Sequence, residues 1–145
     1  MTLVAAALFT VLVALSVLHV YWAVGGVWPG SDEASCARTV IGFPGVDRMP
    51  SPASALAVAG LLGIAAVLAA MLANTPVLPP AARFLPVSGV AASVVFLARG
   101  LAGYTPAWRR LTPELPFARL DRRYYSPLCL AIGGGFAFLV LNGDT

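Results

Sequence analysis

Five residues of this chain have types and positions that could carry chemistry: His19, Trp22, Arg99, Asp121 and Tyr125. His19 is the single histidine, and it falls inside a long apolar run, where an ionisable group is costly and tends to face the bundle interior or a wet cavity. An imidazole there can move a proton, ligate a metal or haem, or anchor a substrate by a hydrogen bond. Equally, it can sit at the membrane interface, bonded to a backbone carbonyl beside an aromatic belt of Tyr21, Trp22 and Trp28. Trp22 follows His19 by three residues and shares its helical face. Arg99 ends another apolar run, so it either snorkels to the headgroups or forms an anion site for a lipid phosphate or a substrate carboxylate, balanced by Asp121. Asp121 stands in Arg119-Leu120-Asp121-Arg122-Arg123, where its neighbours are sufficient to pair it. Only a geometry that brings it to His19 makes an acid–base couple. Tyr124 and Tyr125 suit an aromatic belt, and Cys129 suits a small buried apolar position better than a nucleophile. With one histidine and no paired cysteine spacing, no metal site is expected.

The elements that must position these residues are membrane helices. Of 145 residues, 59% are hydrophobic and 10% charged, a balance outside that of soluble globular domains. A spanning helix needs about 20 mostly apolar residues, and four stretches supply them: residues 3–24, 53–73, 81–103 and 124–141. The long uninterrupted runs lack the alternation of a membrane barrel. The expected fold is therefore all-α, an integral membrane four-helix bundle forming one domain over residues 1–145. The first run has no basic segment before it and is long for a cleaved signal, so it reads as a retained span. Ala55, Ala59 and Gly63 repeat at the spacing that lets helix backbones approach, which places the second span inside the bundle. Gly133-Gly134-Gly135 suits close packing of the fourth. Pro86 falls in the first turn of the third span, where proline is tolerated.

The charge of +3 comes from nine arginines against six acids, with no lysine. No basic stripe on a soluble face accompanies it, so nucleic acid is not an expected partner. The charge instead reads as topology. In a four-span chain the first and third loops share a side, and with Arg99 they hold eight of the nine arginines; Arg83 alone lies opposite. The positive-inside rule then puts the two long loops in the cytoplasm and both termini outside, in a multi-pass protein of the cell membrane. The reverse orientation would place Cys36 and Cys129 on one oxidising face, where they could pair. Either way, His19, Trp22, Arg99, Tyr104, Asp121, Tyr124, Tyr125 and Cys129 converge on one membrane face. The arginines from Arg109 to Arg123 there form a topological anchor that attracts anionic lipid.

The run His19-Val20-Tyr21-Trp22-Ala23-Val24-Gly25-Gly26 with Trp28-Pro29, and the later run from Phe117 through Asp121-Arg122-Arg123-Tyr124-Tyr125-Ser126-Pro127 to Cys129, resemble the small bacterial membrane proteins grouped as domain-of-unknown-function family 3995. The resemblance covers nearly the whole chain and implies a four-span membrane protein, with no activity to carry over. Three functions fit. One is a binding or catalytic module whose pocket opens at the polar face to a lipid-soluble or amphipathic molecule held by His19, Arg99 and Asp121. Another is a structural or regulatory subunit whose small-residue faces pack against a second copy or a membrane-protein partner. A transporter or channel fits less well, because the middles of the spans lack charge. No cofactor and no reaction is specified by these residues.

Overall fold

A computed structural model of the chain describes residues 1–73 and 84–143. The proline-rich stretch 74–80 between the second and third expected spans, the first residues of the third span with Arg83, and residues 144 and 145 lie outside the described residues. Those described form helices and connections with no strand: α1 (Thr2–Ala23), α2 (Glu33–Val40), α3 (Pro52–Ala73), α4 (Phe84–Ala102), α5 (Pro106–Leu111), α6 (Phe117–Leu120) and α7 (Ser126–Leu141). A single π-helical turn, Asp121–Tyr125, joins α6 to α7. Among the described residues, four helical segments are long and apolar enough to cross a membrane: α1, α3, α4 and the continuous stretch Phe117–Leu141, with mean hydropathies of 2.5, 2.5, 1.7 and 1.6. These fit a multi-pass membrane protein.

The fourth segment starts earlier than the sequence suggests, because Phe117–Arg123 is helical and not loop. Proline explains the π turn. Pro127 has no N–H to offer, and within a regular helix its ring would crowd the carbonyl of Arg123. Widening the preceding turn relieves both problems, and the Ser126 N–H reaches back to the Asp121 carbonyl five residues earlier. Such π bulges are frequent at functional sites.

Helix ends follow local chemistry. α1 closes in a Schellman motif: Gly25 takes φ +91°, and the N–H groups of Gly25 and Gly26 donate to the carbonyls of Trp22 and Tyr21 at 3.1 and 2.9 Å. Only glycine adopts that left-handed position without strain. α2 starts in a capping box, in which the Asp32 carboxylate accepts from Ser35 N and Ser35 Oγ accepts from Asp32 N. That bond to Ser35 N holds the Asp32 carboxyl below its ordinary pKa. α5 is capped by Thr105, whose Oγ1 accepts from Trp108 N at 3.2 Å.

Packing is unequal along the helices. α1 lies along α3 and α4 along α7, with sparser contact between the two pairs. Ser16 Oγ donates to the Ala59 carbonyl at 2.8 Å across the first pair, and Ser93 Oγ to the Gly133 carbonyl at 2.8 Å across the second. Ala55 and Ala59 are buried against α1, as their spacing predicts, whereas Gly63 is half-buried, with Ser16 Oγ 3.8 Å from where its Cβ would be. Of the three central glycines, Gly133 and Gly135 are closely packed, against Leu97 and Leu8 respectively, while Gly134 faces open space. The tight core is built from Ala5, Leu8 and Leu12 of α1, Ala66, Ala69 and Leu72 of α3, and Ile132, Phe136 and Leu139 of α7. Except for Ile132 near the middle of α7, these lie in the halves of the helices remote from the two long loops. Towards the loops the two pairs stand apart.

A cavity and a buried ion cluster at the polar face

Where the pairs separate, a partly open cavity of about 460 Å³ lies between them. Leu15 and Leu18 of α1, Val58 and Leu62 of α3, Phe96 of α4 and Leu128 of α7 form its apolar wall. Polar atoms are few: His19, Arg99, Tyr125 and Cys129 contribute them, beside the rings of Trp22, Trp28 and Phe117. The volume falls within the range of about 300–1,000 Å³ usual for small-molecule sites, which combine an apolar lining with a few placed polar groups.

The loops close one end of this space. Trp28 is held over the end of α1, its carbonyl accepting from Trp22 Nε1 at 2.7 Å and its N–H donating to Tyr21 Oη at 3.4 Å. The expected aromatic belt of Tyr21, Trp22 and Trp28 is thus a hydrogen-bonded cluster. The first loop docks on the third: the Glu114 carboxylate accepts from Gly45 N at 3.0 Å, and the Glu114 N–H donates to the Gly42 carbonyl at 3.2 Å. Gly42 has φ +79°, and any Cβ there would overlap the Phe117 ring. Tyr125 Oη donates to the Thr39 carbonyl at 3.3 Å, tying the π turn to α2, and its ring lies 5.8 Å from that of Phe117. Tyr125 therefore belongs to the cavity wall, while Tyr124 is exposed beneath the Arg123 guanidinium.

His19 Nδ1 lies 2.8 Å from the Leu15 carbonyl. A carbonyl only accepts, so Nδ1 carries the hydrogen, and in the neutral ring Nε2 is left as an acceptor. The ring meets Trp22 edge-on, with centroids 4.8 Å apart. The carbonyl-bonded arrangement considered from sequence is present, and it leaves one ring nitrogen unused.

Asp121 differs from the sequence expectation. Its side chain is fully buried and does not pair with Arg119, Arg122 or Arg123. Helical geometry turns those neighbours outward, and all three are exposed. The carboxylate instead accepts from Arg99 Nη2 at 2.7 Å, from Arg109 Nη2, from Trp108 Nε1 at 3.0 Å and from Ser126 Oγ at 3.3 Å. Arg99 is therefore not simply a snorkelling residue, since its guanidinium is held by Asp121 and stacked 4.7 Å from the Trp108 ring centroid. Arg109 also donates through Nη1 to the Ala118 carbonyl at 2.7 Å. Gly103 makes room for the cluster, because a Cβ there would overlap Ser126 Oγ and come 3.2 Å from Asp121 Oδ2.

Of the five residues singled out from sequence, His19, Trp22, Arg99 and Tyr125 line one cavity, and Asp121 stands behind Arg99 as its support. His19 and Asp121 share no hydrogen bond, so they do not form an acid–base couple. Arg109, Trp108 and Ser126 complete the ion cluster and were not distinguishable in sequence. Their one signal is stoichiometric: Asp121 is the sole acid among the arginines that follow Glu114. Among the described residues, no three metal-ligating side chains converge, and Cys36 and Cys129 are both free thiols. Cys36 is fully buried with its Sγ 3.6 Å from the Trp28 carbonyl, and burial pushes its thiol pKa up.

Comparison with known families places the chain. The family model described as "Protein of unknown function (DUF3995)" matches residues 12–136. The chain belongs to this family. The matched region runs from the middle of α1 to Phe136 of α7 and so contains the cavity, the ion cluster and both docked loops of this DUF3995 protein. No curated protein and no solved structure matches the chain.

Proposed function

We propose that this DUF3995 protein binds a lipid-soluble or amphipathic small molecule at the membrane face formed by its two long loops, between the helix pairs. The observation that carries this reading is the cavity of about 460 Å³, whose apolar wall ends in four polar side chains beneath the loops. Helices in the remote halves pack tightly around Phe136, so the opening is local to the polar end. An apolar tail would enter between the pairs and a polar head would lie near His19, Arg99 and Tyr125. The proposal includes the orientation given by the arginines, with the loops in the cytoplasm.

Trp22 and Trp28 both line the cavity, which makes quenching of tryptophan fluorescence a direct test. A single-chain amphiphile brominated along its tail should quench saturably in neutral micelles. Leu128→Phe, which narrows the cavity, should weaken the effect while leaving the helical circular dichroism unchanged. Quenching that rises linearly without saturation, alike in both proteins, would reduce the signal to partition into the micelle and overturn the proposal.

A further inference from the structure

We infer that the cavity's ligand carries an acidic head group, a carboxylate or a phosphate monoester on a single apolar chain, and that Arg99 receives it. This inference rests on the binding function proposed above and adds the chemistry of the head.

The charge balance of the ion cluster points this way. Two guanidinium groups, Arg99 and Arg109, share the single carboxylate of Asp121, which leaves an excess of one positive charge. Among the described residues no other acid pairs with either arginine: Glu114 is bonded to the backbone of Gly45, Glu33 to that of Met49, Asp32 caps α2, and Asp47 is exposed in the first loop. The donor count agrees. Arg99 Nη1 is buried with no acceptor among the described residues, whereas buried donors in folded proteins are nearly always paired; Arg109 Nε is likewise unpaired there but lies outside the cavity wall.

The geometry makes Arg99 the group that meets a ligand. Asp121 is fully enclosed, but the Arg99 side chain is 32% exposed and forms part of the cavity wall. One of its terminal nitrogens is fixed by Asp121 and its plane by the Trp108 ring. The guanidinium is therefore positioned before any ligand arrives, which lowers the ordering cost of binding. A planar fork of this kind suits paired oxygens of a carboxylate or phosphate. The surrounding wall is apolar, so the attraction is less screened than it would be at an open surface.

The test compares heads on one tail. The protein in phosphatidylcholine nanodiscs is loaded with tritiated dodecanoate and challenged with dodecanoate, dodecyl phosphate, methyl dodecanoate or dodecanol. The two acids should displace the label at concentrations on the order of ten-fold lower than the ester and alcohol, as a charge-assisted contact implies. Arg99→Met should abolish that preference while the alcohol competes as before. Asp121 keeps Arg109, Trp108 and Ser126 in this variant, and retained helicity would confirm that it folds. Equal competition by all four compounds in the wild type would overturn the acidic head and leave the binding function standing. Failure to retain dodecanoate, with no saturable quenching by the brominated amphiphile either, would overturn both. An acid preference that survives Arg99→Met would assign the head to another cation and overturn the role of Arg99.

Discussion

Replacing Asp121 by alanine should be the most damaging single change at the polar face. The side chain is fully buried and accepts from Arg99, Arg109, Trp108 and Ser126. Its removal leaves two cations side by side and two further donors without an acceptor. Breaking a buried ion pair by deleting one partner costs about 3–5 kcal/mol. Here the arginines are 32% and 24% exposed, so they recover part of their hydration, which puts the loss at the lower end, about 3 kcal/mol. Arg109→Met leaves Asp121 with one cation and should cost less, and the double variant should be non-additive by about 1 kcal/mol or more. Unfolding of the purified protein in mixed micelles, followed by circular dichroism as the fraction of denaturing detergent rises, reads these differences. Arg122→Ala is the control: Arg122 adjoins Asp121 in sequence but is exposed and makes no ion pair among the described residues, so its change should stay within about 0.5 kcal/mol. An Asp121→Ala protein as stable as wild type, or an Arg122→Ala protein equally damaged, would refute the pairing described.

Other perturbations follow from the same geometry. Gly103→Ala drives a methyl group into Ser126 and Asp121 and should lower stability by about 1–3 kcal/mol in the same titration; wild-type behaviour would mean that α4 and α7 are farther apart at this end. Gly133→Ala and Gly134→Ala form a matched pair. The first places a Cβ 2.7 Å from Leu97 Cγ and 2.9 Å from its backbone nitrogen, and the second meets nothing within 4 Å, so only the first should lose about 1–3 kcal/mol. Cys36 is buried with a raised thiol pKa. Less thiolate is present at neutral pH than for a free thiol, and an impermeant maleimide should react with it slowly even in opened membranes. Asp47 is exposed in the same loop, and in a Cys36→Ser, Cys129→Ala background Asp47→Cys should label rapidly once membranes are opened. In sealed cells it should stay unlabelled; rapid labelling there would reverse the proposed orientation.

Much of this fold was legible because its strongest determinants are local. Twenty-residue apolar runs leave the backbone no option in lipid but the helix, and α1, α3 and α4 begin or end close to where composition changes. The helix that carries the fourth apolar run starts earlier than the run itself, which sequence did not show because Arg119, Asp121, Arg122 and Arg123 read as a polar loop. Tertiary pairing of Asp121 with Arg99 and Arg109 lets those residues continue a helix. The convergence of His19, Trp22, Arg99 and Tyr125 was readable from topology alone, since alternate helix ends must meet at one face. Which cation holds Asp121 was not, because sequence adjacency favours Arg122 and Arg123 while a helix of this pitch points them away. The cavity could not be read either. It depends on the two helix pairs diverging at one end, a property of packing between segments that are far apart in the chain.

Native mass spectrometry of protein released gently from its own membrane tests the central claim most directly, comparing wild type with a Leu62→Trp variant that fills the cavity. The account predicts that wild-type protein carries one small amphipathic molecule in stoichiometric amount and that the filled variant, equally helical, carries none. Wild-type protein that flies at its bare polypeptide mass, or the same adducts on both proteins, would contradict it.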